Sequence, residues 1–221
     1  MKIAIDGPAG AGKSSVARLA AGRLGFLYVD TDAMYRAVGL YALRKGADPA
    51  NPEAVGRLLP EIDLRLGCAE GVQHVYLGGE DVSEAIRTPE ASMAASAVSA
   101  IPAVRAFLLE RQRAFGRGGS VVMDGRDIGT VIFPDAEVKI YMTASAEERA
   151  SRRCRELREK GTEADYAAIL ADIRARDYND SHRAEAPLRP AEGAVVLDTT
   201  RMDLETTVQE VLRIVKEAEG K

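Results

Sequence analysis

Cysteine, histidine and long apolar stretches are scarce in this chain, and each shortage argues against a class of protein. The two cysteines, Cys68 and Cys154, lie far apart without CxxC spacing, which predicts reduced structural thiols rather than a disulfide framework. His74 and His182 are too few and too separate to suggest a metal cluster. The longest stretch with few charges, about 88–105, is rich in Ala and Ser and contains an acid, so it cannot span a bilayer.

Positive charge is not in excess either. The formal net charge is −4, which argues against nucleic acid as a partner, so an anionic ligand must be held by a local concentration of Arg and Lys. The N-terminus, "MKI", leads directly into an apolar run without a signal-peptide pattern, and we expect a cytoplasmic monomer with no membrane partner. With 46% apolar residues, the 221-residue chain fits one globular core with appended segments.

Five short apolar runs have the length and β-branched content of buried strands. Segments with helical spacing separate them, which predicts an α/β fold with a five-stranded parallel sheet covered by helices on both faces. Four of the runs end in aspartate, at the carboxyl ends where such sheets bind ligands. The runs are 2–6, 26–30, 120–124, 138–143 and 194–198.

One region interrupts this alternation. Residues 62–82 read as two or three short strands joined by Gly-containing turns, and the flanking segments 33–59 and 89–115 have a helical pattern. We interpret 62–82 as an insertion between the second and third core strands that forms a small antiparallel sheet.

The stretch "GPAGAGKSS" at residues 7–15 matches the Walker A pattern between a predicted strand and a predicted helix. Its glycines allow consecutive backbone N–H groups to surround nucleotide phosphates at a helix N-terminus. Lys13 is expected to reach the β/γ oxygens, Ser14 to ligate Mg²⁺, and Ser15 to donate to the α-phosphate. The predicted ATP-binding residues are Gly7, Pro8, Ala9, Gly10, Ala11, Gly12, Lys13, Ser14 and Ser15.

A phosphate loop alone leaves open a small-molecule kinase, a GTPase, a motor or a DNA-associated ATPase. No NKxD-like guanine reader is present, whereas Asp124 at a strand end leaves a Walker B role open. Arginines cluster around the loop, as suits the charge of a phosphoryl group in transfer. Acidic residues are interleaved with the arginines of helix 145–160, so these arginines could instead form a solvent-exposed face. The absence of aromatic residues in this helix argues against RNA binding. These arginines are Arg36, Arg126, Arg149, Arg152, Arg153, Arg155, Arg158, Arg174, Arg176 and Arg183.

Five segments, from about residue 2 to 215, resemble the bacterial-type cytidylate kinases in order and spacing. They are "IDGPAGAGKSS", "DTDAMYR", "AASAVSAIPAVRAFLLERQRAF", "DGRDIGTVIFPDAEVKIYMTAS" and "RARDYNDSHRAEAPL". The resemblance implies a P-loop nucleoside monophosphate (NMP) kinase that transfers phosphate from ATP to CMP or dCMP with Mg²⁺. Rival hypotheses are a P-loop kinase for another acceptor, such as UMP, and a nucleotide-dependent regulatory ATPase.

The resemblance also implies residue roles. Around cytosine it places Thr31, Arg105, Asp127 and Arg183, and around the sugar Ser96, Arg176 and Asp180. Arg36 and Arg126 match acceptor-phosphate contacts, and Lys13, Arg126, Arg149 and Arg153 are the expected catalytic residues. Without the resemblance, Ser96 fits simple helix packing and Asp180 an exposed helix-end acid.

The implied organisation is one P-loop kinase domain over residues 1–221. Its core covers about 1–31, 116–148 and 184–221. The NMP-binding region covers about 32–115, including the insertion, and an Arg-rich helical lid covers about 149–183. Asp32 departs from the family, which more often has glycine there, and we expect the site to accommodate this acid.

Overall fold

The computed structural model describes residues 1–69, 72–159 and 161–220. Its strands are β1 (Lys2–Asp6), β2 (Leu27–Asp30), β3 (Leu64–Ala69), β4 (Val72–Leu77), β5 (Glu80–Asp81), β6 (Val121–Gly125), β7 (Val138–Thr143) and β8 (Val195–Asp198). Its α-helices are α1 (Lys13–Leu24), α2 (Thr31–Arg44), α3 (Pro52–Leu58), α4 (Pro89–Ser99), α5 (Pro102–Phe115), α6 (Ala146–Glu159), α7 (Tyr166–His182) and α8 (Leu204–Glu219).

The main sheet has five strands in the order β2-β6-β1-β7-β8, which confirms the predicted α/β fold with a five-stranded parallel sheet. β1 lies at the centre, where Ile3 is opposite Val122 of β6 and Val138 of β7. Its residues Ile3, Ala4 and Ile5 are fully buried, as expected for a continuous apolar strand covered on both sides. α1 contacts β6 and α8, and α8 contacts β7.

The chain divides into two compact units. Unit 1 comprises Met1–Leu27 and Ser120–Lys221, and unit 2 comprises Tyr28–Gly119. The organisation as one kinase domain with a core, an NMP-binding region and a lid at the stated boundaries stays a prediction.

Unit 2 contains the predicted insertion, which forms a three-stranded antiparallel sheet in the order β3-β4-β5. Leu66 lies opposite Val75, and both glycines of the β4–β5 turn have positive φ. The helices pack tightly beside this sheet. A Cβ at Gly39 of α2 would lie 2.8 Å from the Cβ of Ala94 in α4, so glycine is needed where the two helices approach.

Within the described ranges, no single helix is long and apolar enough to cross a membrane. One bent pair, Pro89–Ser99 with Pro102–Phe115 at 99°, meets the length and composition test together. Cys154 is a buried free thiol, whereas the side chain of Cys68 lies outside the described residues.

Candidate active site

The loop 7–15 connects β1 to α1, and its backbone conformation depends on glycine. Gly10 and Gly12 have φ angles of 75° and 87°, in the left-handed region that glycine favours. A Cβ at Gly7 would lie 1.9 Å from the carbonyl oxygen of Met142 in β7, so no other residue fits this backbone path. Because α1 begins at Lys13, its first N–H groups lack intrahelical acceptors and are available to an anion at the loop.

Two side chains of the loop are held in place by neighbours in unit 1. The Lys13 Nζ donates to the carbonyl oxygen of Pro8 at 2.8 Å, so the loop closes on its own lysine. The Ser14 hydroxyl donates to the Asp124 carboxylate at 2.9 Å, and Asp124 is almost completely buried beside β1.

The Ser14 and Asp124 oxygens are hard ligands of the kind that Mg²⁺ prefers. Among the described residues there is no group of three or more His, Cys, Asp or Glu side chains that could hold a metal ion. The Ser14 hydroxyl and the Asp124 carboxylate are two oxygen ligands that this part of the site could offer to such an ion.

Asp6, the last residue of β1, was not among the predicted site residues. Its two carboxylate oxygens accept hydrogen bonds from the backbone N–H groups of Ile128 and Gly129, at 2.7 and 2.8 Å. Burial raises the pKa of Asp6 to about 6, although the two backbone hydrogen bonds lower it. Asp6 thus joins the strand before the phosphate loop to the segment after Asp127. The available sequence signal was an aspartate at a strand end directly before the loop.

Four predicted CMP residues in unit 1 come together as two ion pairs. The Arg126 Nε donates to the Asp180 carboxylate at 2.5 Å, and a terminal nitrogen of Arg183 lies 3.9 Å from the Asp127 carboxylate. The side chains of Asp127 and Arg183 are 7% and 10% exposed, so little water separates these charges. Asp127 lies directly before the π-helical turn Ile128–Ile132 that Asp6 anchors.

Arg149 of α6 is buried and fixed at each guanidinium nitrogen. Its Nε donates to the Ala144 carbonyl at 2.9 Å, and its Nη1 donates to the carbonyl of Ala9 in the phosphate loop at 3.0 Å. Its two terminal nitrogens also bind the Asp177 carboxylate of α7, at 2.9 and 2.5 Å. Asp177 was not predicted, because nothing in sequence spacing reveals which acid of α7 meets an arginine of α6.

The other arginines of the predicted lid differ in exposure. Arg153 is about half exposed and pairs with Glu156 one helical turn away. Arg152 donates to the Thr199 carbonyl at 2.6 Å, which ties α6 to the segment after β8. In α7, Arg176 pairs with Asp172 at 2.9 Å. The solvated-face interpretation therefore describes Arg153 better than it describes Arg149.

Unit 2 holds the remaining predicted CMP residues. Thr31, the first residue of α2, is buried, and Asp30 caps this helix by accepting from the Ala33 N–H at 3.1 Å. The Gln73 side chain of β4 accepts from the Asp30 backbone N–H at 2.8 Å, and Arg87 donates to the Asp30 carboxylate at 3.1 Å. Gln73 of the insertion sheet and Arg87 of the segment after it thereby fix the start of α2.

Arg36 lies one turn further along α2. Its Nε donates to the Asp32 carboxylate at 2.6 Å, its Nη1 to the Ile86 carbonyl at 3.1 Å and its Nη2 to the Ser92 hydroxyl at 3.1 Å. Asp32, where the resemblance implies glycine more often, is thus the ion-pair partner of the predicted phosphate-binding arginine.

Ser96 and Arg105 lie on two further helices of unit 2. Ser96 is exposed on α4, and its carbonyl accepts from the Ser99 hydroxyl at 2.8 Å. The Arg105 guanidinium of α5 lies 6.0 Å from the centroid of the Tyr35 ring, at the limit of a cation–π contact. Exposure of Ser96 argues against the simple helix-packing interpretation.

These features define a class of protein. The glycine-rich loop closes on its own lysine and connects a central parallel strand to a helix. A hydroxyl–carboxylate pair, Ser14 with Asp124, lies beside it. This arrangement is typical of P-loop nucleotide-binding proteins.

Comparison with known proteins narrows the class. The family model for cytidylate kinase matches residues 3–217. A cytidylate kinase from Caldicellulosiruptor bescii is 49% identical over 97% of this chain and 95% of its own length, and one from Pelotomaculum thermopropionicum is 53% identical over 95% and 93%. One from Pseudomonas aeruginosa is 49% identical over 96% and 93%. The chain belongs to the cytidylate kinase family.

Proposed function

We propose that this protein transfers the γ-phosphoryl group of ATP to CMP or dCMP, which yields ADP and CDP or dCDP. The observation that carries this proposal is the phosphate loop, closed on Lys13 and followed along the chain by paired Arg and Asp side chains, in a member of the cytidylate kinase family. The enzyme is therefore a P-loop cytidylate kinase with ATP as donor.

The donor is held by residues 7–15. Their backbone N–H groups and the N-terminus of α1 surround the phosphates, and Lys13 balances the charge that develops on the migrating group. Ser14, with Asp124 beside it, would hold Mg²⁺, which supplies charge neutralisation for the β- and γ-phosphate oxygens when it is bound.

The acceptor is bound by the residues that the resemblance to cytidylate kinases implies. Thr31, Arg105, Asp127 and Arg183 bind the cytosine, and Ser96, Arg176 and Asp180 bind the sugar. Arg36 and Arg126 bind the acceptor phosphate. Two contacts support this assignment: the Arg126 Nε–H is directed at the Asp180 carboxylate at 2.5 Å, and the mostly buried charges of Asp127 and Arg183 lie 3.9 Å apart.

The chemistry requires no covalent nucleophile from the protein. The phosphate of CMP already presents an anionic oxygen, so in-line attack needs positioning and charge stabilisation rather than a general base. Lys13, Arg126, Arg149 and Arg153 supply positive charge, and the contact of Arg149 with the Ala9 carbonyl links it to the loop.

An acceptor panel tests this function. The protein is incubated with ATP, Mg²⁺ and each of CMP, dCMP, UMP, AMP and GMP, and ADP formation is followed. We expect ADP formation that depends on CMP or dCMP. Equal rates with UMP would indicate a broader pyrimidine kinase, and steady hydrolysis without acceptor that DNA stimulates would indicate the regulatory ATPase.

We further propose a cytoplasmic monomer with small-molecule substrates and neither nucleic acid nor membrane as partner. The net charge of −4 supports the absence of nucleic acid. Light scattering on the purified protein tests the oligomeric state, and a mass of twice 23.7 kDa would contradict a monomer.

A further inference from the structure

Arg36 is neutralised by an acid from its own helix. The Asp32 carboxylate accepts the Arg36 Nε–H at 2.6 Å, and the two side chains are only 29% and 19% exposed. Ion pairs that are largely removed from solvent are weakly screened, so this acid strongly reduces the positive potential at the guanidinium.

The same contacts fix the orientation of Arg36. A guanidinium has five N–H groups, and Asp32, the Ile86 carbonyl and the Ser92 hydroxyl accept three of them. Within the described part of the chain, one N–H on each terminal nitrogen is left for a further acceptor. Two such donors suit the bidentate binding of a phosphate group.

We propose that Asp32 is a positioning residue that sets the affinity of Arg36 for the phosphate of the acceptor nucleotide. The Asp32 carboxylate fixes the guanidinium through Nε and partly neutralises its positive charge. Arg36 therefore orients the phosphate but binds it less tightly, so that the phosphate is released readily. This inference rests on the proposed function, because it takes Arg36 as a contact of the acceptor phosphate.

A purely structural role predicts something different. Asp32 lies in the first turn of α2, where a negative charge stabilises the helix dipole. If that were its only role, its loss would lower the melting temperature and leave phosphate recognition unchanged. The contribution of the phosphate group to the binding free energy of CMP therefore distinguishes a role in phosphate recognition from a role in stabilising α2.

The experiment compares CMP with cytidine, which lacks the phosphate, in the absence of ATP. Dissociation constants are measured by calorimetry or ligand-observed NMR for the wild type and for Asp32→Asn. Asparagine keeps an oxygen that accepts the Arg36 Nε–H but removes the charge. We expect CMP to bind about 5- to 20-fold more tightly to Asp32→Asn, with cytidine unchanged and a steeper salt dependence for CMP.

Glu217→Gln is the matched control, because Glu217 and Arg213 form an ion pair of the same i,i+4 spacing on the exposed surface of α8. It should leave both affinities unchanged. An unchanged or weaker affinity of Asp32→Asn for CMP, in a protein whose wild type binds CMP, overturns the role of Asp32 alone. A wild type that binds no CMP overturns the proposed function together with this inference.

Discussion

The ATP loop and the proposed CMP set are built in different ways. The loop is one contiguous segment whose path depends on glycine, as the 1.9 Å approach at Gly7 shows. The CMP residues come from segments far apart along the chain and orient one another through ion pairs such as Arg126–Asp180. Changes in the loop should therefore remove phosphoryl transfer for every acceptor, whereas changes in the proposed cytosine-binding residues should alter the choice among acceptors.

The largest effect is expected at Lys13. Lys13→Ala should lower kcat by about 10²- to 10³-fold with every acceptor, because a fixed positive charge at the migrating phosphoryl group is lost. Turnover and thermal melting are measured together. Lys45→Ala, which removes an exposed lysine paired with Glu61, is the control and should leave kcat unchanged. Near-normal turnover in folded Lys13→Ala would remove the loop from the mechanism.

The loop and the main sheet were predictable because their signals are local. The strand 2–6, the glycine spacing and the helix start lie within two dozen residues of one another. Asp6 and Asp177 were not predicted because their partners, Gly129 and Arg149, are distant in sequence. Only the folded chain shows which of many similar acids meets which donor.

The Arg149–Asp177 ion pair lies outside the phosphate loop but contacts it, because Arg149 also donates to the Ala9 carbonyl. Asp177→Ala should lower the free energy of unfolding by about 2–3 kcal/mol, because the buried Arg149 then lacks its carboxylate partner. Urea unfolding measures the change. Glu156→Ala removes the exposed partner of Arg153 and should cost no more than about 0.5 kcal/mol. Equal small losses in both variants would show that Arg149 is held adequately by the Ala9 and Ala144 carbonyls.

Asp6 should make stability depend on pH. Its pKa in the folded protein is about 6, above its ordinary value of 3.8, so the fold favours the neutral acid. Its stabilising contribution is complete below about pH 3.8 and is lost as the pH rises through 6, with a total of about 3 kcal/mol.

Asp6→Asn cannot ionise and tests this directly. The free energies of unfolding of the wild type and the variant are compared at about pH 4 and about pH 7. Over this range the wild type should lose about 2.4 kcal/mol relative to the variant, most of the total given by the shift in pKa. The offset between the curves is not informative, because asparagine cannot accept both N–H groups as the carboxylate does. Parallel curves would show that burial does not raise the pKa of Asp6.

The smallest effect concerns the CMP set alone. Cytosine presents an amino donor beside the N3 acceptor, whereas uracil presents a carbonyl oxygen beside N3–H, so a carboxylate favours cytosine. Asp127 is 5% exposed and lies near Arg183. Water has little access to this position and cannot readily replace a lost carboxylate, so removal of Asp127 should change the preference for cytosine. We expect Asp127→Ala to narrow the CMP/UMP ratio of kcat/KM by at least about tenfold, or 1.4 kcal/mol.

Asp135→Ala, which removes an exposed acid paired with Lys2, is the control and should leave the ratio unchanged. If instead Asp127 only positions Arg126 or the turn after it, both acceptors should lose rate in parallel and the ratio should not move.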